Sequence, residues 1–269
     1  MIPKKIHYCW FGAGSKPELI QKCIASWHKF CPDWEIIEWN ESNYDVSANR
    51  YAREAYELKK WAFVSDVARL DIVNRYGGVY LDTDVELLAP IEGLLRHNAF
   101  YFFETERNIA TGLGFGAVKE HSSIKAMLSY YDDKSFVCNG KIDMTPCPKN
   151  NTDKIMSVCP SLIRNGCRQE IDNMCFLSLG EYGDYMKHYG TASWTDNPNF
   201  DESKINHKYK NTKIKKFLKQ PERFNYIEKH FGEKAVKIYT FIVYDLLEFG
   251  VWFYVKKIIK KIQRKRIRH

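Results

Sequence analysis

The feature that most restricts this chain is a helix-like run, Lys60 to Tyr76, closed by Gly77-Gly78 and followed at once by Val79-Tyr80-Leu81-Asp82-Thr83-Asp84-Val85. In the first part Phe63, Val64, Val67, Leu70, Val73 and Tyr76 recur at helical spacing and line one broad apolar face. Glycine tolerates the left-handed conformation that stops a helix, so Gly77-Gly78 is a sharp terminator. The second part reads as a strand that ends in acid. Two residues apart on a strand, Asp82 and Asp84 are expected to project to the same side of the sheet. Such an edge, at the carboxyl end of a strand, is where α/β sheets bind ligands.

The rest of the first half fits the same architecture. Ile6 to Phe11 reads as a buried strand, Gly12 to Pro17 as its loop, Pro17 to about Phe30 as a helix and Trp34 to Trp39 as a second strand. Strand, helix, strand opens an α/β fold with a mostly parallel central sheet. Ala99 to Glu104 is a further strand, followed by the glycine-rich Thr111 to Ala117, while Asp132 to Thr152 reads as polar, proline-containing loop. A chain of 269 residues suits one elaborated domain, placed here over residues 1–230, with a helical tail over 231–269.

The net charge of +8 would suggest nucleic acid, but eight of the basic residues lie from Lys256 onward with no acid among them. That leaves 33 basic against 33 acidic residues, so the body is neutral and no nucleic-acid partner is expected. The eight cysteines form no CxxC pair, and Met1 to Tyr8 runs into a strand-like segment without an apolar signal region. Both observations lead to an expected location in a reducing cytoplasm with free thiols.

A pair of carboxylates suits Mn²⁺ or Mg²⁺, which prefer hard oxygen ligands, and such an ion can neutralise a diphosphate leaving group. Taken alone, Asp-x-Asp is a weak motif that more often marks two solvated acids at a strand end. Asp66 and Arg69, three apart on the helix before, share a face and read either as a surface ion pair or as groups aimed at a sugar and its phosphate. Trp10 reads as a core residue or as a stacking platform, and His188 as a structural histidine or a metal ligand.

The combined string Trp61-Ala62-Phe63-Val64-Ser65-Asp66-Val67-Ala68-Arg69-Leu70 and Tyr76-Gly77-Gly78-Val79-Tyr80-Leu81-Asp82-Thr83-Asp84, with the opening Ile2 to Gly12, resembles the signature of glycosyltransferase family 32. The resemblance covers about residues 1 to 120. It implies a GT-A (Rossmann-like) fold, a nucleotide-diphosphate sugar donor, a divalent metal, commonly Mn²⁺, and retention of anomeric configuration. Carried over residue by residue, it implies that Trp10, Asp66, Arg69, Tyr80 and Asp82 bind the donor. Asp66, Arg69 and Asp84 are the implied catalytic group, and Asp82, Asp84 and His188 the implied metal ligands. His188 to Trp194 resembles the family's late loop, which implies that Ser193 and Trp194 close over the diphosphate. A UDP-sugar is the favoured donor and GDP-mannose the alternative, with a saccharide or lipid-linked acceptor in capsule, lipopolysaccharide or similar surface-polysaccharide synthesis. The competing reading is an inactive, membrane-associated sugar-binding or scaffold protein of the same fold.

Residues 235–255 are rich in aromatic and aliphatic side chains but interrupted by Lys237, Asp245 and Glu248, so a membrane span is not expected. The segment reads as a helix packed on the domain or as one lying on the inner leaflet, its basic end on anionic headgroups. The latter makes the enzyme a peripheral membrane protein.

Overall fold

The structure is a computed structural model that describes residues 1–138 and 140–191. Its elements are β1 Lys5–Cys9, α1 Glu18–Phe30, β2 Glu35–Trp39, α2 Arg50–Glu57, α3 Trp61–Tyr76, β3 Gly78–Tyr80, β4 Val85–Leu87, β5 Ala99–Phe102, β6 Phe115–Ala117, α4 Ser122–Leu128, β7 Val137–Cys138, β8 Lys141–Ile142, α5 Cys147–Val158, β9 Gln169–Ile171, β10 Met174–Leu177, α6 Tyr182–Tyr185 and β11 Met186–His188. Seven strands form the main sheet in the order β2-β1-β3-β6-β5-β10-β9. Five of them (β1, β2, β3, β5 and β10) run one way, and β6 and β9 run against them. This is the α/β fold with a mostly parallel sheet that the sequence predicts. The β4–β11 pair and the β7–β8 hairpin stand apart from it.

Side chains alternate across β1, and the helices follow that alternation. Tyr8 meets Trp27 of α1 edge-on, with ring centroids 5.4 Å apart, while Cys9 joins the core cluster with Phe63, Val64, Val67 and Ala68 of α3. The two helices therefore cover opposite faces. α3 has buried residues at nine positions between Phe63 and Val73, too many for one stripe, and it is enclosed by the sheet, α2 and α4. Tyr76, assigned above to the apolar face, is instead 40% exposed and stacks on Trp39 at 5.2 Å.

The step from α3 to β3 depends on Gly77 and Gly78. Both have positive φ, 65° and 110°. A Cβ on Gly77 would lie 2.9 Å from the Lys119 amide nitrogen, and one on Gly78 would lie 2.9 Å from His7 Nε2. His7 latches this turn. Its Nε2 donates to the Gly77 carbonyl at 2.8 Å, and its Nδ1 accepts from Trp39 Nε1 at 3.1 Å, which fixes the neutral ring.

Several boundaries differ from the sequence reading. β1 ends at Cys9, so Trp10 lies just beyond the strand, and β5 stops at Phe102. The largest change is at the acids. β3 stops at Tyr80, and Asp82 to Val85 forms a tight turn closed by Val85 N–H donating to the Asp82 carbonyl at 3.0 Å. Asp82 and Asp84 therefore lie in a turn between strands, not on one strand face. Aspartate competes with the ladder for backbone donors and favours such turns. The region 132–152, expected to be loop, carries the β7–β8 hairpin and the start of α5.

All eight cysteines are free thiols. Among the described residues no helix is long and apolar enough to cross a membrane. Ser193, Trp194, the boundary at residue 230 and the tail over 231–269 lie outside the described residues.

Burial lowers the His7 pKa from 6.5 to about 4, against the raising effect of its bond to Gly77. An unfolded chain takes up a proton as pH falls through 6.5 while the folded one does not, so stability is present above that pH and is lost progressively down to about 4. Denaturant unfolding between pH 7 and pH 4 is expected to show a loss attributable to this residue of about 3 kcal/mol, absent in His7→Gln measured against its own pH 7 value.

Candidate active site

The site gathers where α3, the turn after β3, the glycine-rich segment before β6 and the end of β11 meet. At its base is Arg69, whose side chain is 5% exposed. One guanidinium nitrogen lies 3.1 Å from Asp66 Oδ1 and 3.3 Å from Asp82 Oδ1, and Nε donates to the Ser65 carbonyl at 3.0 Å. Burial disfavours the charge on Arg69, but Asp82 and Asp66 outweigh it and hold the pKa well above its ordinary value. Burial pushes the Asp66 carboxyl upward, opposed by Arg69 and by a hydrogen bond from the Cys147 thiol. The same competition between burial and Arg69 leaves the Asp82 carboxyl raised, with the negative charge of Asp84 adding to the rise.

Tyr80 lies beneath this charge cluster. It is 1% exposed, and the Arg69 guanidinium sits 5.1 Å from its ring centroid. The resemblance implies donor contact for it; in the structure its ring packs in the core cluster and supports Arg69.

Asp84 is held from the other side. Its Oδ2 accepts from the Thr191 amide at 2.8 Å and from the Thr191 hydroxyl at 2.9 Å, and its Oδ1 lies 3.2 Å from His188 Nε2. Burial alone would raise this carboxyl, but the His188 bond and charge, with the two Thr191 bonds, hold it at about 2. Burial lowers the His188 pKa, and Asp84, Asp82 and Glu104 together more than reverse that, leaving it raised.

Among the described residues, ligand atoms of Asp82, Asp84 and His188 lie within 4.8 Å of one another. Two hard carboxylates and one imidazole nitrogen fit Mn²⁺ or Mg²⁺ and leave coordination positions for diphosphate oxygens. A second group, His97, Glu170 and Cys175, has similar spacing. It is a poor cation site, because Arg168 already pairs with Glu170 at 2.7 Å and Arg96 approaches to 3.8 Å.

Trp10 is half-buried just beyond the end of β1. Its indole Nε1 donates to the Gly14 carbonyl at 2.7 Å, with Lys16 Nζ 5.6 Å from the ring centroid. The structure thus brings Asp66, Arg69, Asp82, Asp84 and His188 together, and places Trp10 at the carboxyl end of β1.

Two contributors escape sequence reasoning, and a third shows there only as one of the glycines that could allow close backbone approach. Thr191 is a single hydroxyl in a loop. Cys147 opens α5, a helix unseen in the sequence, and its Sγ lies 3.9 Å from Thr111 Oγ1. Gly112 is visible as a glycine, but its reason is spatial: a Cβ there would lie 2.6 Å from Asp82 Oδ2 and 3.3 Å from an Arg69 guanidinium nitrogen.

A buried arginine thus lies between two acids, beside a carboxylate–histidine cluster that could hold a divalent cation. Residues 17–101 match the family model described as the glycosyltransferase sugar-binding region containing a DXD motif. Over that segment, about a third of its length, the chain is similar to this family of glycosyltransferases.

The chain is 28% identical over 131 residues to inositol phosphoceramide mannosyltransferase 1 of Schizosaccharomyces pombe, an alignment covering 45% of this chain and 40% of that protein. It is 25% identical over 213 residues to an uncharacterized glycosyltransferase of Acanthamoeba polyphaga mimivirus, covering 72% and 84%. Among solved structures, PaToxG glycosyltransferase is similar over 60% of this chain and 70% of that one, with 17% identity and a TM-score of 0.48. The chain therefore spans well under two thirds of the S. pombe relative.

Gly112→Ala is expected to drive a methyl group into the Asp82–Arg69 contact, lowering donor turnover by about tenfold or more. Steady-state kinetics read that loss, and an unchanged circular dichroism spectrum shows that it is local.

Proposed function

We propose that this protein is a metal-dependent glycosyltransferase that moves a hexose or N-acetylhexosamine from a nucleotide-diphosphate sugar to a saccharide or lipid-linked acceptor. The observation that carries the reading is the convergence of Asp82, Asp84 and His188 within 4.8 Å, beside the buried Asp66–Arg69 pair. Asp82, Asp84 and His188 would hold Mn²⁺ or Mg²⁺, which when bound neutralises negative charge on the diphosphate.

The chain's own groups account for the rest. Arg69 is permanently charged and rigidly aimed, so it orients Asp66 toward sugar hydroxyls and offers fixed positive potential to the phosphate side of the cup. Asp66, paired with that charge, accepts hydrogen bonds from the sugar. Trp10, at the end of the first strand, offers an indole face to the nucleobase, and Ser193 with Trp194 would close over the diphosphate and exclude water. Retention of configuration is the stereochemical course that the family resemblance implies.

A UDP-sugar is the leading donor. The mannosyltransferase name of the S. pombe relative keeps GDP-mannose as the alternative, and its ceramide-based acceptor favours a lipid-linked one here. The neutral body and basic end support a peripheral position on the inner membrane face, through residues 235–269, in surface-polysaccharide assembly.

Sugar release from a panel of UDP- and GDP-sugars is expected to require Mn²⁺ or Mg²⁺ and to fall by about a thousandfold or more in Asp84→Asn. Release unaffected by chelation or by that variant refutes metal dependence. No release from any donor, even with acceptor extract, favours the inactive scaffold. Deleting residues 235–269 is expected to abolish sedimentation with phosphatidylserine-containing vesicles while leaving donor hydrolysis intact; sedimentation unchanged by the deletion contradicts the peripheral location.

A further inference from the structure

The stretch from β11 to Thr191 runs antiparallel to β4 and continues past the end of that pairing. Met186, Lys187 and His188 pair with Leu87, Glu86 and Val85, and then Tyr189 N–H donates to the Asp84 carbonyl at 3.0 Å. Two residues on, Thr191 reaches the Asp84 side chain with both its amide and its hydroxyl. The same strap is anchored on its outer side. Tyr189 OH donates to Glu86 Oε2 at 2.6 Å and accepts from Lys22 Nζ at 2.9 Å, and Lys22 pairs with Glu86 at 3.1 Å. α1 holds the partner strand in turn: Trp27 Nε1 donates to the Val85 carbonyl at 2.8 Å, and Ser26 Oγ accepts from Leu87 N–H at 2.9 Å.

A carboxylate in a turn can rotate, and a rotating carboxylate presents either oxygen, or both, to a cation. Here one oxygen receives both Thr191 bonds, and the other faces His188 and the cluster. We propose that Thr191 is a positioning residue for Asp84: by occupying Oδ2 it turns Oδ1 toward the cation shared with Asp82 and His188, and the Lys22–Glu86–Tyr189 anchor holds Thr191 in place to do so. The proposal rests on the reading of Asp82, Asp84 and His188 as metal ligands. Outer partners of this kind orient a ligating carboxylate, and their loss weakens metal affinity without removing a ligand.

The test is a titration of the full chain with Mn²⁺, following the electron paramagnetic resonance signal of the free ion, in the absence of donor. Thr191→Val removes the hydroxyl and keeps the amide and the shape. It is expected to weaken Mn²⁺ binding by about tenfold, with Thr191→Ser restoring affinity to within about threefold of the native chain. Asp84→Asn is expected to bring binding below detection. Unchanged affinity in Thr191→Val, or equal loss in Thr191→Ser, overturns the positioning role while Asp84→Asn still reports on the metal site. Unchanged affinity in Asp84→Asn overturns the metal reading itself, and the proposal with it. Should Thr191→Val not fold, as judged by its melting temperature, Tyr189→Phe is read instead: it cuts the outer anchor, and an affinity equal to that of the native chain contradicts the proposal.

Discussion

Arg69 is the residue on which the site depends. A guanidinium with 5% of its surface exposed, carried by a helix enclosed on nearly all sides, is tolerable only if acids meet it, and Asp66 and Asp82 do so from two different elements. Removing one partner of such a pair leaves an uncompensated buried charge, at a typical cost of about 3–5 kcal/mol. The pairing therefore ties α3 to the turn after β3. It also draws Asp82 toward the helix, so that the pair of acids is shared: Asp82 faces Arg69, and Asp84 faces the strap that carries His188 and Thr191.

That division explains why the two acids differ although only one residue separates them. Asp84 receives an imidazole and two bonds from Thr191, which hold it at about 2, while burial and the neighbouring Asp84 charge leave Asp82 raised. The glycines serve the same geometry at three points. Gly77 and Gly78 let the chain leave α3 and enter β3 against His7, and Gly112 lets the segment before β6 pass directly over the Asp82–Arg69 contact. Each is a place where a methyl group would displace a charged or hydrogen-bonding group.

Much of this was legible in the sequence because the informative residues are close together. Asp66, Arg69, Gly77, Gly78, Asp82 and Asp84 fall within 20 positions, and helical spacing, the double glycine and the acidic end all act locally. The main sheet followed from the order of its early elements. What the sequence did not disclose depends on distant contacts. The strand containing the acids is cut short because Asp82 answers to Arg69 and the turn closes behind it. Tyr80 is a support because Arg69 lies over it. Helix α5 begins in a Pro-containing, polar stretch with little periodicity, and its stability comes from packing on α4 and on the segment at Thr111. Thr191, 107 residues from Asp84, carries no local pattern at all.

The account stands most directly on where a divalent cation binds. Crystals of the full chain grown with Mn²⁺ and a nucleoside diphosphate, measured at the manganese absorption edge, locate the ion without reference to activity. The account predicts a single strong anomalous peak at the Asp84 carboxylate, with Asp82 and His188 alongside. A peak elsewhere, or a bound diphosphate with no ion between it and Asp84, would contradict it.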